Sequence, residues 1–121
     1  PDIHHIFPET YCIKMGYDKN KWNSIINKTP LLPESNRQIG GEAPSVYSKR
    51  IMRKAEINEA ELRSRVESHL IDYERFISDD FDGYFISRAK SIMKAIEAAM
   101  GKKIADKGSE QTIKIYGVSL D

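Results

Sequence analysis

Asp2, His4 and His5 place one carboxylate and two imidazoles within four residues, a set suited to a divalent metal and to proton transfer. A neutral imidazole beside a carboxylate is a plausible start to a metal site. On a strand, residues two apart share a face, so Asp2 and His4 fall together and His5 falls on the other side. Adjacent histidines can then divide labour, one binding the ion while the other stays free as a base. Phosphodiester hydrolysis needs that division. The attacking water must lose a proton, and an imidazole with an ordinary pKa of about 6.5 is suited to accept it near neutrality. A cation must neutralise charge on the phosphate and on the leaving oxygen. Asp2, His4 and His5 supply both functions only if a further ligand comes from elsewhere in the chain. Taken alone, a His-His pair is uninformative and equally fits a leftover tag.

Two later segments add to the pair. Ile26-Asn27-Lys28-Thr29-Pro30-Leu31-Leu32 places an Asn at the opening of a short strand, and Ser35-Asn36-Arg37 follows. Together with Asp2-Ile3-His4-His5-Ile6-Phe7-Pro8, these resemble the three motifs of HNH (ββα-metal) nucleases in order and spacing: twenty-two residues from His5 to Asn27, then nine to Asn36. The HNH domains of RNA-guided CRISPR nucleases share the arrangement. The C-terminal HNH domain of bacterial restriction-like proteins with a ParB-like N-terminal domain is more similar still, through Asn27 to Leu31, Ser35 to Arg37, Ile39-Gly40 and Ala43-Pro44-Ser45-Val46-Tyr47. The similarity is strong over residues 2–50 and looser beyond.

The resemblance implies that His5 is the general base, that His4 and Asn36 are metal ligands, and that Asn27 pins the loop between the strands and helps hold the base. Asp2 is implied as a third ligand or as a partner orienting His4. Few protein ligands and several retained waters suit Mg²⁺ or Mn²⁺, while His4 also admits Zn²⁺ or Ni²⁺. Arg37 is a phosphate contact or a structural ion pair. Lys49, Arg50, Arg53 and Lys54 form a basic cluster that serves either as a solvated face or as a DNA-backbone contact. The implied partners are DNA and the N-terminal remainder of a larger restriction or defence protein. A non-catalytic DNA-binding or assembly module on the same scaffold, and an RNA-directed nuclease, are the alternatives.

The elements that must position these residues read as an α+β chain: a ββα-metal head over residues 1–55 and a mostly helical body over 56–121, together one domain. Ile3 to Phe7 is a short β-like run ended by Pro8. A helix is expected over Glu9–Met15 with Gly16 as its left-handed terminator, then a second strand over Lys28–Leu32, a helical turn from Pro33 to Arg37, and a loop at Gly40-Gly41. Ser45 is the expected N-cap of a helix reaching Lys54. Asn58 caps the next, with Leu62, Val66 and Leu70 at four-residue spacing. Asp79 or Asp80 caps a longer helix, whose stripe of Phe81, Phe85, Ala89, Ile92, Met93, Ile96 and Met100 is read as core and ends at Gly101. Thr112 to Val118 alternates in polarity and reads as a terminal strand or an ordered tail. His69 is expected to be structural, and Trp22 and Tyr47 to pack the head.

Charge follows the same division. Residues 1–55 carry nine Lys/Arg against five Asp/Glu, and residues 56–121 carry ten against thirteen, so the half with the His pair is the basic one, as suits a polyanion. No apolar run approaches the roughly 20 residues needed to span a bilayer, and no signal peptide is visible. A single cysteine, Cys12, excludes an intramolecular disulfide framework or a Cys-rich zinc knuckle and fits a reducing cytoplasm, with Cys12 itself a buried apolar residue. The opening on Pro1 rather than Met suggests a processed chain or a fragment. No Gly-rich phosphate loop or dinucleotide fingerprint is present.

Overall fold

Strand β1 (Asp2–His5) ends where Pro8 stops the run and starts helix α1 (Glu9–Met15). The computed structural model describes residues 2–31 and 38–121. Gly16 closes α1 at φ 77°, a left-handed conformation that costs glycine little. Asp18 caps the single turn α2 (Lys19–Trp22) by accepting from the Asn20 amide at 2.9 Å. A 3₁₀ turn over Ile25–Asn27, capped by Ser24, then delivers the chain into β2 (Lys28–Leu31). The two strands pair antiparallel with Ile3 opposite Pro30, His4 opposite Thr29 and His5 opposite Lys28. Pro30 donates nothing to the ladder, which an edge strand tolerates. A lone two-stranded sheet is marginal in water, so its order depends on the helices packed against it.

Five more helices follow: α3 (Pro44–Ala55), which closes the head, and α4 (Glu59–Glu67), α5 (Tyr73–Ile77), α6 (Phe81–Met100) and α7 (Glu110–Tyr116), which form the body. With most of the described residues helical beside a two-stranded sheet, the class is α+β with a mostly helical body. The head meets that body at Phe7, fully buried, whose ring lies 4.6 Å from Tyr84 and 5.2 Å from Phe81 between centroids. Tyr17 stacks on Phe81 at 4.6 Å. Burial of each such ring stabilises by about 1.5–3 kcal/mol, so the side chain two positions beyond His5 is also a main link between head and body.

Asn58 and Asp80 cap their helices as their positions predict, and Gly101 ends α6 in the left-handed region. Other expectations are corrected. Residues 112–118 form no strand: Ser109 caps and Gly117 terminates helix α7, and an isolated strand there would find no neighbour to satisfy its backbone among the described residues. Ala43, not Ser45, is the N-cap of α3, because Pro44 takes the first helical position. Ser45 instead donates its amide and hydroxyl to the Asp79 carboxylate, at 2.9 and 2.6 Å. The apolar stripe of α6 is core only in part. Phe81, Phe85 and Ala89 are buried, but Ile96 and Met100 are 44% and 49% exposed, since the helix outruns the core. Leu70, expected on the buried face of α4, lies beyond its end and is exposed. The second strand is described as far as Leu31, and the turn expected over Pro33 to Arg37 lies outside the described residues.

Candidate active site

His4 and His5 leave β1 beside an open cleft of about 300 Å³ lined by His4, His5, Pro8, Glu9, Thr10, Ile39 and Gly40. Both imidazoles are half-buried. Gly40, at φ 57°, turns the chain across the mouth of this cleft, and Gly41 then passes so close to Thr10 that an added Cβ would stand 3.1 Å from the Thr10 Cβ. Two small residues are needed there for two different reasons, one conformational and one steric.

The His5 ring is held on two sides. Its Nε2 lies 3.1 Å from Oδ1 of Asn23, and it meets Trp22 edge to face at 5.7 Å. Trp22 is buried beneath it.

The backbone just past His5 is fixed at every polar atom. Ile6 N–H donates to the Asn27 carbonyl at 2.8 Å, and the Tyr47 hydroxyl donates to the Ile6 carbonyl at 2.6 Å. Phe7 N–H donates to Asn27 Oδ1, and Asn27 Nδ2 donates to the Phe7 carbonyl, both at 2.9 Å. The second Nδ2 hydrogen reaches the Trp22 carbonyl at 2.9 Å, and the Tyr84 hydroxyl donates to Oδ1 at 2.9 Å. Asn27 is fully buried with its amide used as donor twice and acceptor twice. It touches no solvent, so it can influence the cleft only by position. Its bonds run to Phe7 rather than to His5: it locks the turn that carries the histidine, and Asn23 holds the ring.

Arg88 fastens the same turn from behind. Its guanidinium donates to the carbonyls of Ile26 at 2.5 Å and Lys28 at 3.1 Å, and its Nε donates to that of His69 at 3.1 Å. Burial lowers its pKa from the ordinary arginine value, yet so basic a group stays charged, and charge-assisted bonds to backbone carbonyls offset the loss of hydration. Burial raises the Tyr84 and Tyr47 phenols well above their usual value, so both remain O–H donors at any pH where the fold persists. His69 ties the body to the sheet: its Nδ1 lies 3.0 Å from the hydroxyl of Thr29, the residue paired across the sheet with His4.

Of the residues expected in the site, His4 and His5 are brought together at the cleft, and Asn27 lies beneath them. Asp2 stands on β1 two positions before His4. Asn36 and Arg37 lie outside the described residues. Among the described residues no three His, Cys, Asp or Glu side chains converge to hold a metal ion. An imidazole is by its chemistry a donor for a divalent ion, and His4 lines the cleft. Lys49, Arg53 and Lys54 are exposed on α3, whereas Arg50 is paired with Glu42 and donates to the Gln38 carbonyl. The sequence reading missed Asn23, Tyr84 and Arg88. Arg88 left one trace, a cation inside an apolar stripe four residues after a tyrosine; Asn23 left none.

Among the described residues no helix is long and apolar enough to cross a membrane. No family model matches the chain, and no solved structure matches it. The chain is similar to the uncharacterized protein MJ0686 of Methanocaldococcus jannaschii, at 29% identity over 114 aligned positions that cover 77% of this chain and 20% of the relative. It thus spans about a fifth of that protein's length.

Proposed function

We propose that the chain is a metal-dependent endonuclease domain of the HNH type that hydrolyses DNA phosphodiester bonds, the nuclease part of a larger cytoplasmic restriction or defence protein. The observation that carries the reading is the clamp around His5. A half-buried histidine facing an open cleft is backed by a turn with every backbone polar group bonded and by a fully buried asparagine at the position of the second HNH motif. Catalysis by general base requires such preorganisation, because a ring held in place loses no freedom when it accepts the proton.

In this reading His5 takes the proton from the water that attacks phosphorus. His4, with Asp2 and Asn36, would hold a divalent ion, Mg²⁺ or Mn²⁺ by preference. When bound, that ion supplies positive charge against the phosphate oxygens and the leaving 3′ oxygen. Lys49 and Arg53, exposed on α3, and Arg37 offer contacts for the DNA backbone. Arg50 contributes less, since Glu42 already neutralises it.

Incubation of the protein with supercoiled plasmid and, separately, with labelled single-stranded RNA, in Mg²⁺, Mn²⁺ or chelator, tests this function. The expected result is nicked or linear plasmid in either ion, none with chelator, and little RNA product. Tight plasmid binding without cleavage in any divalent ion would replace the proposal with a DNA-binding module, and preferential RNA cutting would replace its substrate.

A further inference from the structure

Resting on that reading, the contact between Asn23 and His5 specifies which nitrogen of the base is active. We propose that Asn23 is a positioning residue that holds neutral His5 as the Nε2–H tautomer and leaves Nδ1 as its basic atom. A side-chain carbonyl oxygen can only accept, so the contact of Asn23 Oδ1 with the ring nitrogen at 3.1 Å favours the tautomer protonated at that nitrogen. In a neutral imidazole the other nitrogen then holds the lone pair.

Three features make the contact directional. Asn23 sits on an immobilised backbone: its N–H donates to the Lys19 carbonyl at 2.9 Å, and the Ser24 N–H donates to that of Lys21 at 3.1 Å. Trp22, the preceding residue, is buried and lies edge to face against the His5 ring at 5.7 Å, which packs one side of the imidazole. The backbone that carries His5 is paired with Lys28 and runs directly into the Asn27 clamp. The base is thus oriented by a residue outside the three motifs. Asn23 remains able to accept from Nε2–H after Nδ1 takes a proton, so it serves both states of the ring.

The test uses the whole chain, ¹⁵N-labelled on histidine, without added metal and at alkaline pH where imidazole is neutral. Two-bond nitrogen–carbon proton correlation spectra distinguish an unprotonated ring nitrogen from a protonated one. The expected His5 pattern is a protonated Nε2 and an unprotonated Nδ1, relaxing in Asn23→Ala to the mixture of tautomers of a free imidazole. In plasmid nicking, Asn23→Ala is expected to lower kcat about tenfold at unchanged KM, and Asn23→Asp, which keeps an acceptor oxygen, to restore it. A protonated Nδ1 in the wild-type protein, a spectrum that Asn23→Ala leaves unchanged, or wild-type kcat in Asn23→Ala would each overturn the assignment. The spectra decide it even if the wild-type protein cuts nothing, an outcome that removes the nuclease reading alone.

Discussion

Replacement of Asn27 by Asp changes almost no volume and isolates the hydrogen-bond clamp behind the candidate base. Oδ1 keeps its two donors, Phe7 N–H and the Tyr84 hydroxyl. The Nδ2 position becomes an oxygen facing two carbonyls, those of Phe7 and Trp22, each 2.9 Å away. Two buried bonds are lost and two acceptor–acceptor contacts are created where the side chain is fully buried. Each unsatisfied buried group costs about 1–3 kcal/mol, so the two carbonyls that lose their donor cost roughly 2–6 kcal/mol, a large part of the 5–15 kcal/mol typical of a whole domain. At roughly 2–8 °C per kcal/mol, the midpoint should fall by at least about 4 °C. The sign with pH follows from the introduced carboxyl. Burial raises its folded pKa above the unfolded value of about 3.9, and the protonated form regains one donor. The penalty relative to wild type is therefore smallest in acid and grows as pH rises between the unfolded and folded values. Urea unfolding followed by Trp22 fluorescence and far-UV circular dichroism, at pH 4.5 and 8, measures it. A loss below about 1 kcal/mol at pH 8, or a penalty that shrinks with rising pH, would refute the role of the clamp.

Tyr84→Phe removes one donor to Asn27 Oδ1 and leaves the Phe7 N–H bond in place; a destabilisation of about 1 kcal/mol is expected in the same unfolding assay. Cys12 is fully buried and its thiol is pushed up to about 12 by desolvation, so it should resist thiol reagents at pH 8 until urea unfolds the chain, as a colorimetric titration will show. Lys107 and the Ile104 amide hold the Glu97 carboxyl below its ordinary pKa. Lys107 in turn offers its carbonyl to Leu120 N–H. This anchoring is present above the ordinary carboxylate range and is lost as pH falls through the depressed folded value. Amide exchange at Ile104 and Leu120, corrected for intrinsic rates, should therefore accelerate in acid, and in Glu97→Gln at neutral pH.

What the chain reveals about itself depends on whether the determinant is local. The His4-His5 strand, Gly16, Asn58 and Gly101 act through their own backbone or the next turn, and all are visible in the linear order. Asn27 was legible as a position in a motif, but its partners were not: Phe7 lies twenty residues before it and Tyr84 fifty-seven after. Arg88 closes a still longer loop onto the 3₁₀ turn, and no periodicity announces a bond from a side chain to a distant carbonyl. Asn23 shows the same limit, since eighteen residues separate it from His5. Residues 112–118 failed for the opposite reason. Their alternation mimics a strand over a few residues, whereas the capping Ser109 and terminating Gly117 decide for a helix. The outer half of the α6 stripe was misread because periodicity reports amphipathicity without reporting what covers the face.

The proposed role of His5 is that of the base in a metal-assisted hydrolysis. Single-turnover nicking of plasmid DNA in saturating Mg²⁺ or Mn²⁺, compared between the wild-type chain and His5→Ala with matched circular dichroism spectra, tests it most directly. The expected rate in the variant is lower by about 10²–10⁴-fold. A His5→Ala rate within about threefold of wild type, well short of what loss of a general base produces, would contradict it.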